Sequence, residues 1–293
     1  MLGIVFNVLV IEWNLGSFGL QFGYELERLR ANLDCPLKII ILAGGLGTRI
    51  SEETDNKPKP MVLVGDKPIL WHLMNVFSSQ GHNDFVLALG YRSEVVKRWL
   101  LDLNDLQGSI QIDTANKKIE HIGPSSTQAW NVTALDTGLN TQTGGRIAQC
   151  MNFAQGERVI ATYGDGLANI SINKLLEFHR SHGRLATVTA VRPPARFGHL
   201  EIEEGKVRNF GEKNQSDAGW INGGFFVLEP EVVDFVRSDV EPFESGALPR
   251  LVQADQLRAY CHTGFWQPMD TLRERNELSR LAEENPPPWL DGI

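Results

Sequence analysis

From Lys38 onward, short apolar runs rich in β-branched residues alternate with stretches whose apolar residues recur every three or four positions. The first pattern predicts buried strands and the second amphipathic helices. Candidate strands cover 38–43, 84–89, 158–163 and 185–191, and candidate helices cover 69–80, 94–103 and 172–182. Their alternation predicts a mostly parallel sheet with helices on its faces. Later the pattern changes. Residues 199–213 alternate apolar and polar on both sides of Glu204-Gly205, as a hairpin does, and "WINGGFFVLEP" (220–230) reads as a strand broken by paired glycines. Residues 271–284 read as a helix stopped by Pro286, Pro287 and Pro288. No long linker, repeat or low-complexity tract interrupts 38–293, which reads as a single domain: a nucleotide-type half followed by an acceptor-binding half.

Residues 1–37 stand apart as an N-terminal extension. Met1 to Ile11 is apolar, but no basic residue precedes Arg28, Glu12 closes the run, and no small-residue cleavage site follows. The run is also too short to cross a bilayer as a helix. The favoured reading is a dispensable extension or a start set too early, so that removing 1–37 leaves activity largely unchanged. An interfacial or partner-binding helix and export remain open beside it.

Charge and cysteine content narrow the function class. The chain has 293 residues and a net charge of −8, with Lys and Arg scattered along it. A nucleic-acid binder needs a basic patch or stripe, so that class is set aside. Cys35, Cys150 and Cys261 are widely spaced with no CxxC. They suit reduced thiols in a cytoplasmic protein better than a disulfide framework or a zinc site.

The candidate chemistry begins where the first strand runs into "AGGLGTRI". A P-loop would need GxxxxGK[ST], but Arg49 stands five residues after Gly44; a dinucleotide fingerprint would need a third glycine where Ile50 sits. What remains is a GGxGTR loop whose backbone N–H groups can approach an anion, with Arg49 as a fixed cation. Such a turn is as often only a tight connection. In "KPKPM" (57–61) each lysine precedes a proline, which predicts an extended segment. It either returns a lysine over the same phosphates or is a rigid, solvated loop.

"TYGDG" (162–166) places Asp165 at the C-terminal end of a candidate strand, where a carboxylate can hold Mg²⁺ or simply make a turn. Asp270 in "FWQPMDT" is a second carboxylate, or the N-cap of the final helix, or both. Two carboxylates with phosphate oxygens and water suffice for Mg²⁺. His179 and His182 are three apart on a candidate helix with no third ligand, and read as surface. No Ser-His-Asp arrangement or general acid/base carboxylate pair stands out.

GGLGTR followed by KPKP resembles the opening of the sugar nucleotidyltransferase family. "LAGGLGTRISEET", "KPKPM", "KPILWH", "WNVTALDTG", "TGGR", "TYGDG", "RFGHLEI", "INGGFFVL" and "FWQPMDTLRE" follow in order. As a set they are similar to its glucose-1-phosphate cytidylyltransferase branch, over about 38–289. The resemblance implies an α/β fold: a Rossmann-like mixed, mostly parallel sheet flanked by helices, with an added β-rich sugar-binding portion. It implies CTP and glucose 1-phosphate as substrates, Mg²⁺ as cofactor, a cytoplasmic homo-oligomer, and no nucleic-acid or membrane partner.

By the same resemblance Leu42, Ala43, Gly44, Gly45 and Gly47 wrap the nucleotide, with Thr48 and Arg49 on its phosphates. Lys59 meets a phosphate, Thr141, Arg146 and Gly164 make further nucleotide contacts, and Asp165 and Asp270 hold the metal. Glu212 and Lys213 meet the sugar phosphate, and Asn222 and Gly223 the sugar hydroxyls. Arg49, Lys59 and Lys213 neutralise charge in the reaction. On pattern alone, Thr141 and Arg146 sit in a loop entering a helix, and Glu212-Lys213 is an exposed ion pair. Residues 105–128 and 238–251 match poorly, although Glu244 falls where the family has an acidic residue. A UTP- or dTTP-using relative and a non-catalytic sugar-nucleotide sensor are the rival readings.

Overall fold

Three consecutive isoleucines, Ile39 to Ile41, set the centre of the sheet and are fully buried. A computed structural model of the protein describes residues 37–45, 47, 50–105, 109–122, 129–193, 198–203, 206–212 and 219–293. In chain order its elements are β1 (Lys38–Leu42), α1 (Ser51–Thr54), β2 (Leu63–Val64), β3 (Lys67–Pro68), α2 (Ile69–Ser78), β4 (Asp84–Leu89) and α3 (Ser93–Asp105). There follow β5 (Ser109–Asp113), β6 (Lys118–Ile122), β7 (Asn131–Asp136), α4 (Thr143–Phe153), β8 (Val159–Tyr163), β9 (Gly166–Ala168) and α5 (Ile172–His182). The last are β10 (Ala186–Val191), β11 (Gly198–Glu203), β12 (Lys206–Glu212), β13 (Ile221–Leu228), α6 (Ala247–Gln253), β14 (Leu257–Cys261), β15 (Trp266–Pro268) and α7 (Leu272–Leu281).

Seven strands form the main sheet in the order β14-β10-β13-β8-β1-β4-β7. All neighbours are parallel except β13, which runs antiparallel to both β10 and β8. Because side chains alternate across a strand, Ile39 and Ile41 enter one core layer with Leu70, Phe77, Phe85 and Trp289. Ile40 enters the other, with Val86, Ile147, Phe226 and Phe243. Burial on both faces is why β1 and β4 read as continuous apolar runs.

The helices follow from local signals. In α2 the buried residues Ile69, Leu70, Leu73, Met74, Val76 and Phe77 recur at helical spacing. The Ser171 hydroxyl accepts from the Lys174 N–H to cap α5, which ends at Gly183 in the left-handed region. Among the described residues, no helix is long and apolar enough to cross a membrane.

The expected strands and helices all form, with small shifts at their ends; β4 and α5 coincide with expectation. Two main-sheet strands, β7 and β14, had no counterpart in the pattern. They are the two edges of the sheet, half-buried, and so carry no unbroken apolar run. The paired glycines do not break β13. The strand runs through them, and its register against β10 shifts between Phe226↔Val188 and Asn222↔Ala190, with Gly224 at φ +82°.

The reading of His179 as a surface residue is overturned: it is 1% exposed. Its ring nitrogens lie 2.8 Å from Thr187 Oγ1 and 3.1 Å from Glu229 Oε1, pairing a buried imidazole that the helical spacing alone does not reveal. His182 is partly buried and shares Thr187 Oγ1 at 2.7 Å. Cys150 and Cys261 are free thiols, and burial pushes the Cys150 thiol up to about 12.

Candidate active site

The register of the sheet brings three strand ends together. Leu42, the last residue of β1, lies beside Tyr163 of β8 and Ala88 of β4. In an open α/β sheet the crevice beyond the carboxyl ends of the strands is where ligands bind. The glycine loop leaves β1 at this point, stitched to both neighbours. Ala43 N–H donates to Ala88 O and Gly164 N–H to Leu42 O, each at 3.0 Å, and Tyr91 N–H donates to Gly44 O at 3.2 Å. Thr48 and Arg49 lie outside the described residues.

Arg146 projects from α4 to the underside of this loop and is 4% exposed. Its guanidinium donates to Gly44 O (3.1 Å), Leu89 O (2.9 Å) and Thr137 Oγ1. A Cβ on Gly44 would lie 2.3 Å from Arg146 Nη1, so the loop closes over the guanidinium only because Gly44 has no side chain. Burial depresses the Arg146 pKa below its usual value. Thr141, which was read with Arg146, donates its hydroxyl to Thr137 O at 2.5 Å. The helix expected after Thr141 begins at Thr143.

Lys59 enters from the KPKP segment. That segment is extended only as far as Pro58; Lys59–Met61 then makes one 3₁₀ turn. Pro60 sits in the first turn, where its missing N–H costs nothing, so proline does not prevent the turn here. Lys59 is 8% exposed, which rules out the solvated-loop reading for it. Its Nζ donates to Asp165 Oδ2 and to Asp270 Oδ1, each at 2.7 Å. Burial pulls the ammonium pKa down, but the Asp165 carboxylate and then Asp270 outweigh it, and the pKa lies above the ordinary lysine value. Lys57 pairs with Glu53 at 3.2 Å.

The two aspartates are more than a hundred residues apart and are joined by backbone. β9 and β15 pair antiparallel with Gly166 opposite Pro268, and Met269 N–H donates to Asp165 O at 2.8 Å. Asp270 does not cap the final helix. Thr271 does, in a capping box with Glu274. Glu274 Oε2 also accepts the Asp270 N–H at 2.8 Å, which leaves the Asp270 carboxylate directed at Lys59. The two carboxylates meet on one cation. That is the donor set Mg²⁺ takes when phosphate oxygens and water complete its shell, so these residues fit such an ion. No larger cluster of metal-ligating side chains occurs among the described residues.

A cleft of about 400 Å³ opens over these groups. Its lining includes Leu42, Ala43, Gly44, Gly45, Gly47, Lys59, Thr141, Arg146, Gly164, Asp165 and Asp270, so these residues share one wall system. Pro60 of the KPKP segment, with Leu139, Gln142, Thr143 and Tyr163, completes the lining; none of these five was assigned a site role from the sequence. On β13, Asn222 Nδ2 donates to the Tyr163 hydroxyl at 3.2 Å. Gly223 O accepts the Trp266 indole N–H at 2.9 Å. The Tyr163 hydroxyl donates in turn to Glu244, which also accepts from Thr143 Oγ1 at 2.7 Å. Burial and then the Glu244 carboxylate hold the Tyr163 pKa far above its ordinary value.

Asn222 and Gly223 are not among the residues that line the cleft; Asn222 reaches its wall through Tyr163, which with Glu244 and Thr143 forms one hydrogen-bonded chain. Sequence signals for the missed partners were adjacency alone: Tyr163 precedes Gly164-Asp165, and Trp266 lies in the same short motif as Asp270. Glu212 ends β12, but its side chain and all of Lys213 lie outside the described residues.

The sequence signature of the nucleotidyl transferase family matches residues 38–281. Glucose-1-phosphate cytidylyltransferase of Salmonella typhi is 44% identical over 86% of this chain and 98% of its own length. Mannose-1-phosphate guanylyltransferase 1 of Arabidopsis thaliana is 30% identical over 87% of this chain and 69% of its own. The fold is similar to that of an apo UDP-glucose pyrophosphorylase structure, with a TM-score of 0.60 at 16% identity, covering 86% of this chain and all of the other. With the family signature spanning the cleft and the sheet beneath it, the chain belongs to the nucleotidyl transferases, on the branch of the glucose-1-phosphate cytidylyltransferases.

Proposed function

We propose that the protein joins CTP to α-D-glucose 1-phosphate, giving CDP-glucose and pyrophosphate, in the cytoplasm and with Mg²⁺, as a homo-oligomer. The product would feed the dideoxy and related sugars of a surface polysaccharide. The observation that carries this reading is the convergence of Lys59, Asp165 and Asp270 beside the glycine loop, in a chain 44% identical to a cytidylyltransferase.

The chemistry asks the protein for charge and geometry. A phosphate oxygen of glucose 1-phosphate attacks the α-phosphorus of CTP in line, and pyrophosphate leaves from the opposite side. That oxygen is already anionic, so the cleft needs no general base. The first obstacle is repulsion between two polyanions. Mg²⁺ held by Asp165 and Asp270 would supply charge neutralisation and Lewis acidity at the phosphates. Lys59, with Arg49 and Lys213 by resemblance, adds fixed positive charge, and the glycine-loop amides orient the triphosphate. Asn222 and Gly223 hold the sugar.

Purified protein given Mg²⁺, glucose 1-phosphate and each of CTP, UTP, dTTP, ATP and GTP in turn should release pyrophosphate fastest with CTP. A faster rate with another triphosphate would move the proposal to that base. Release with none of them would leave the sensor reading.

A further inference from the structure

Lys59 does more in this geometry than wait for a phosphate. Its Nζ sits 2.7 Å from each of the two carboxylates assigned to the metal. The lysine side chain is 10% exposed, whereas those of Asp165 and Asp270 are 36% and 24% exposed. The cation is the deeper member and the carboxylates face the cleft. The β9–β15 pairing and the Met269–Asp165 hydrogen bond hold the backbones of the two aspartates in place beside each other. The lysine backbone is equally fixed, with Pro58 and Pro60 on either side and a hydrogen-bonded turn from Pro58 O to Met61 N at 2.8 Å. Of the three side chains, the four-carbon lysine stem has the most freedom to swing away.

A divalent ion approaching this pair therefore meets two carboxylates already half neutralised, with an ammonium in contact with both. Like charges this close disfavour each other strongly when partly buried. A nucleoside triphosphate changes the balance. It brings several negative charges to the glycine loop and offers the ammonium new oxygen partners, which frees the carboxylates.

We propose that Lys59 is the built-in counter-ion of the Asp165–Asp270 pair, excluding divalent metal until a nucleoside triphosphate draws the lysine away, so that metal and nucleotide enter together. This rests on the assignment of the two aspartates to the metal.

Mn²⁺, which shares the preference of Mg²⁺ for oxygen ligands, tests it by calorimetric titration into the full chain without nucleotide. Wild type should bind weakly. Lys59→Met should bind about tenfold or more tightly, and Lys59→Met with Asp165→Asn should return to weak binding. Wild type binding Mn²⁺ alone as tightly as Lys59→Met overturns the proposal and leaves the metal site standing. A double variant that keeps the gain places the ion away from Asp165, and the metal assignment then fails along with the proposal. If Lys59→Met does not fold by circular dichroism, Lys59→Gln replaces it. Wild type alone still decides: Mn²⁺ held as tightly without CTP as with it overturns the proposal.

Discussion

Arg146 donates to the carbonyl oxygen of Gly44 across 3.1 Å, although the two are 102 positions apart. A cation that sequence resemblance places on the nucleotide spends its donors on the backbone of the loop and on the end of β4. It shapes the loop from beneath. Arg146→Met should strand buried acceptors and cost about 3 kcal/mol of stability in urea denaturation. In enzyme that remains folded, KM for CTP should rise more than kcat falls. Unchanged stability would show that the guanidinium does not hold the loop.

Asp165→Asn should lower turnover about a hundredfold or more, because it removes one of two carboxylates available to a metal ion. The fold should survive. Lys59 keeps Asp270, and the β9–β15 pairing does not involve the Asp165 side chain. Near-normal rates in a pyrophosphate assay would remove Asp165 from the metal site.

Most of the parallel half of the sheet was legible because its strands are buried on both faces and carry unbroken apolar runs. The edge strands β7 and β14 were not, since half-exposed strands have no such signature. The glycine loop, Lys59, Asp165 and Asp270 were legible as separate short motifs. What the sequence could not convey is that one ammonium satisfies both carboxylates, since β9 and β15 join distant segments. His179 was misread for a related reason: its partners Thr187 and Glu229 lie on other elements, and helical spacing alone says nothing of them. Asp270 was read as a possible cap because Asp commonly caps; the adjacent Thr271 with Glu274 forms the capping box instead.

Glu229 should set part of the acid limit of stability. Burial raises its pKa, but hydrogen bonds from His179 and Arg158 more than offset this and hold it below the ordinary 4.5. A depressed carboxylate pKa contributes stability that is complete above the unfolded value and lost as pH falls through the folded one. Glu229→Gln should therefore be less stable than wild type at pH 7, by about 1–3 kcal/mol. The gap should close as pH drops below about 4.5, the usual range of a free Glu carboxyl. Urea midpoints across that range decide it, and a gap constant with pH would exclude the linkage.

Trp266 should affect use of glucose 1-phosphate more than use of CTP, if Asn222 and Gly223 hold the sugar as proposed. Its indole N–H donates to Gly223 O at 2.9 Å, and β15 carries it opposite β9, just after Asp165. A Cβ on Gly223 would lie 2.6 Å from a Val191 methyl, so the strand has room for no side chain beside this carbonyl. Trp266→Phe keeps most of the ring volume and removes that donor. One neutral hydrogen bond is worth about 1 kcal/mol, so KM for glucose 1-phosphate should rise about fivefold. KM for CTP should stay near the wild-type value, because Trp266 contacts neither the glycine loop nor Lys59 through any hydrogen bond among the described residues. Initial rates with each substrate varied separately make the comparison. Equal changes in both constants would mean that Trp266 supports the whole cleft and has no particular hold on the sugar side.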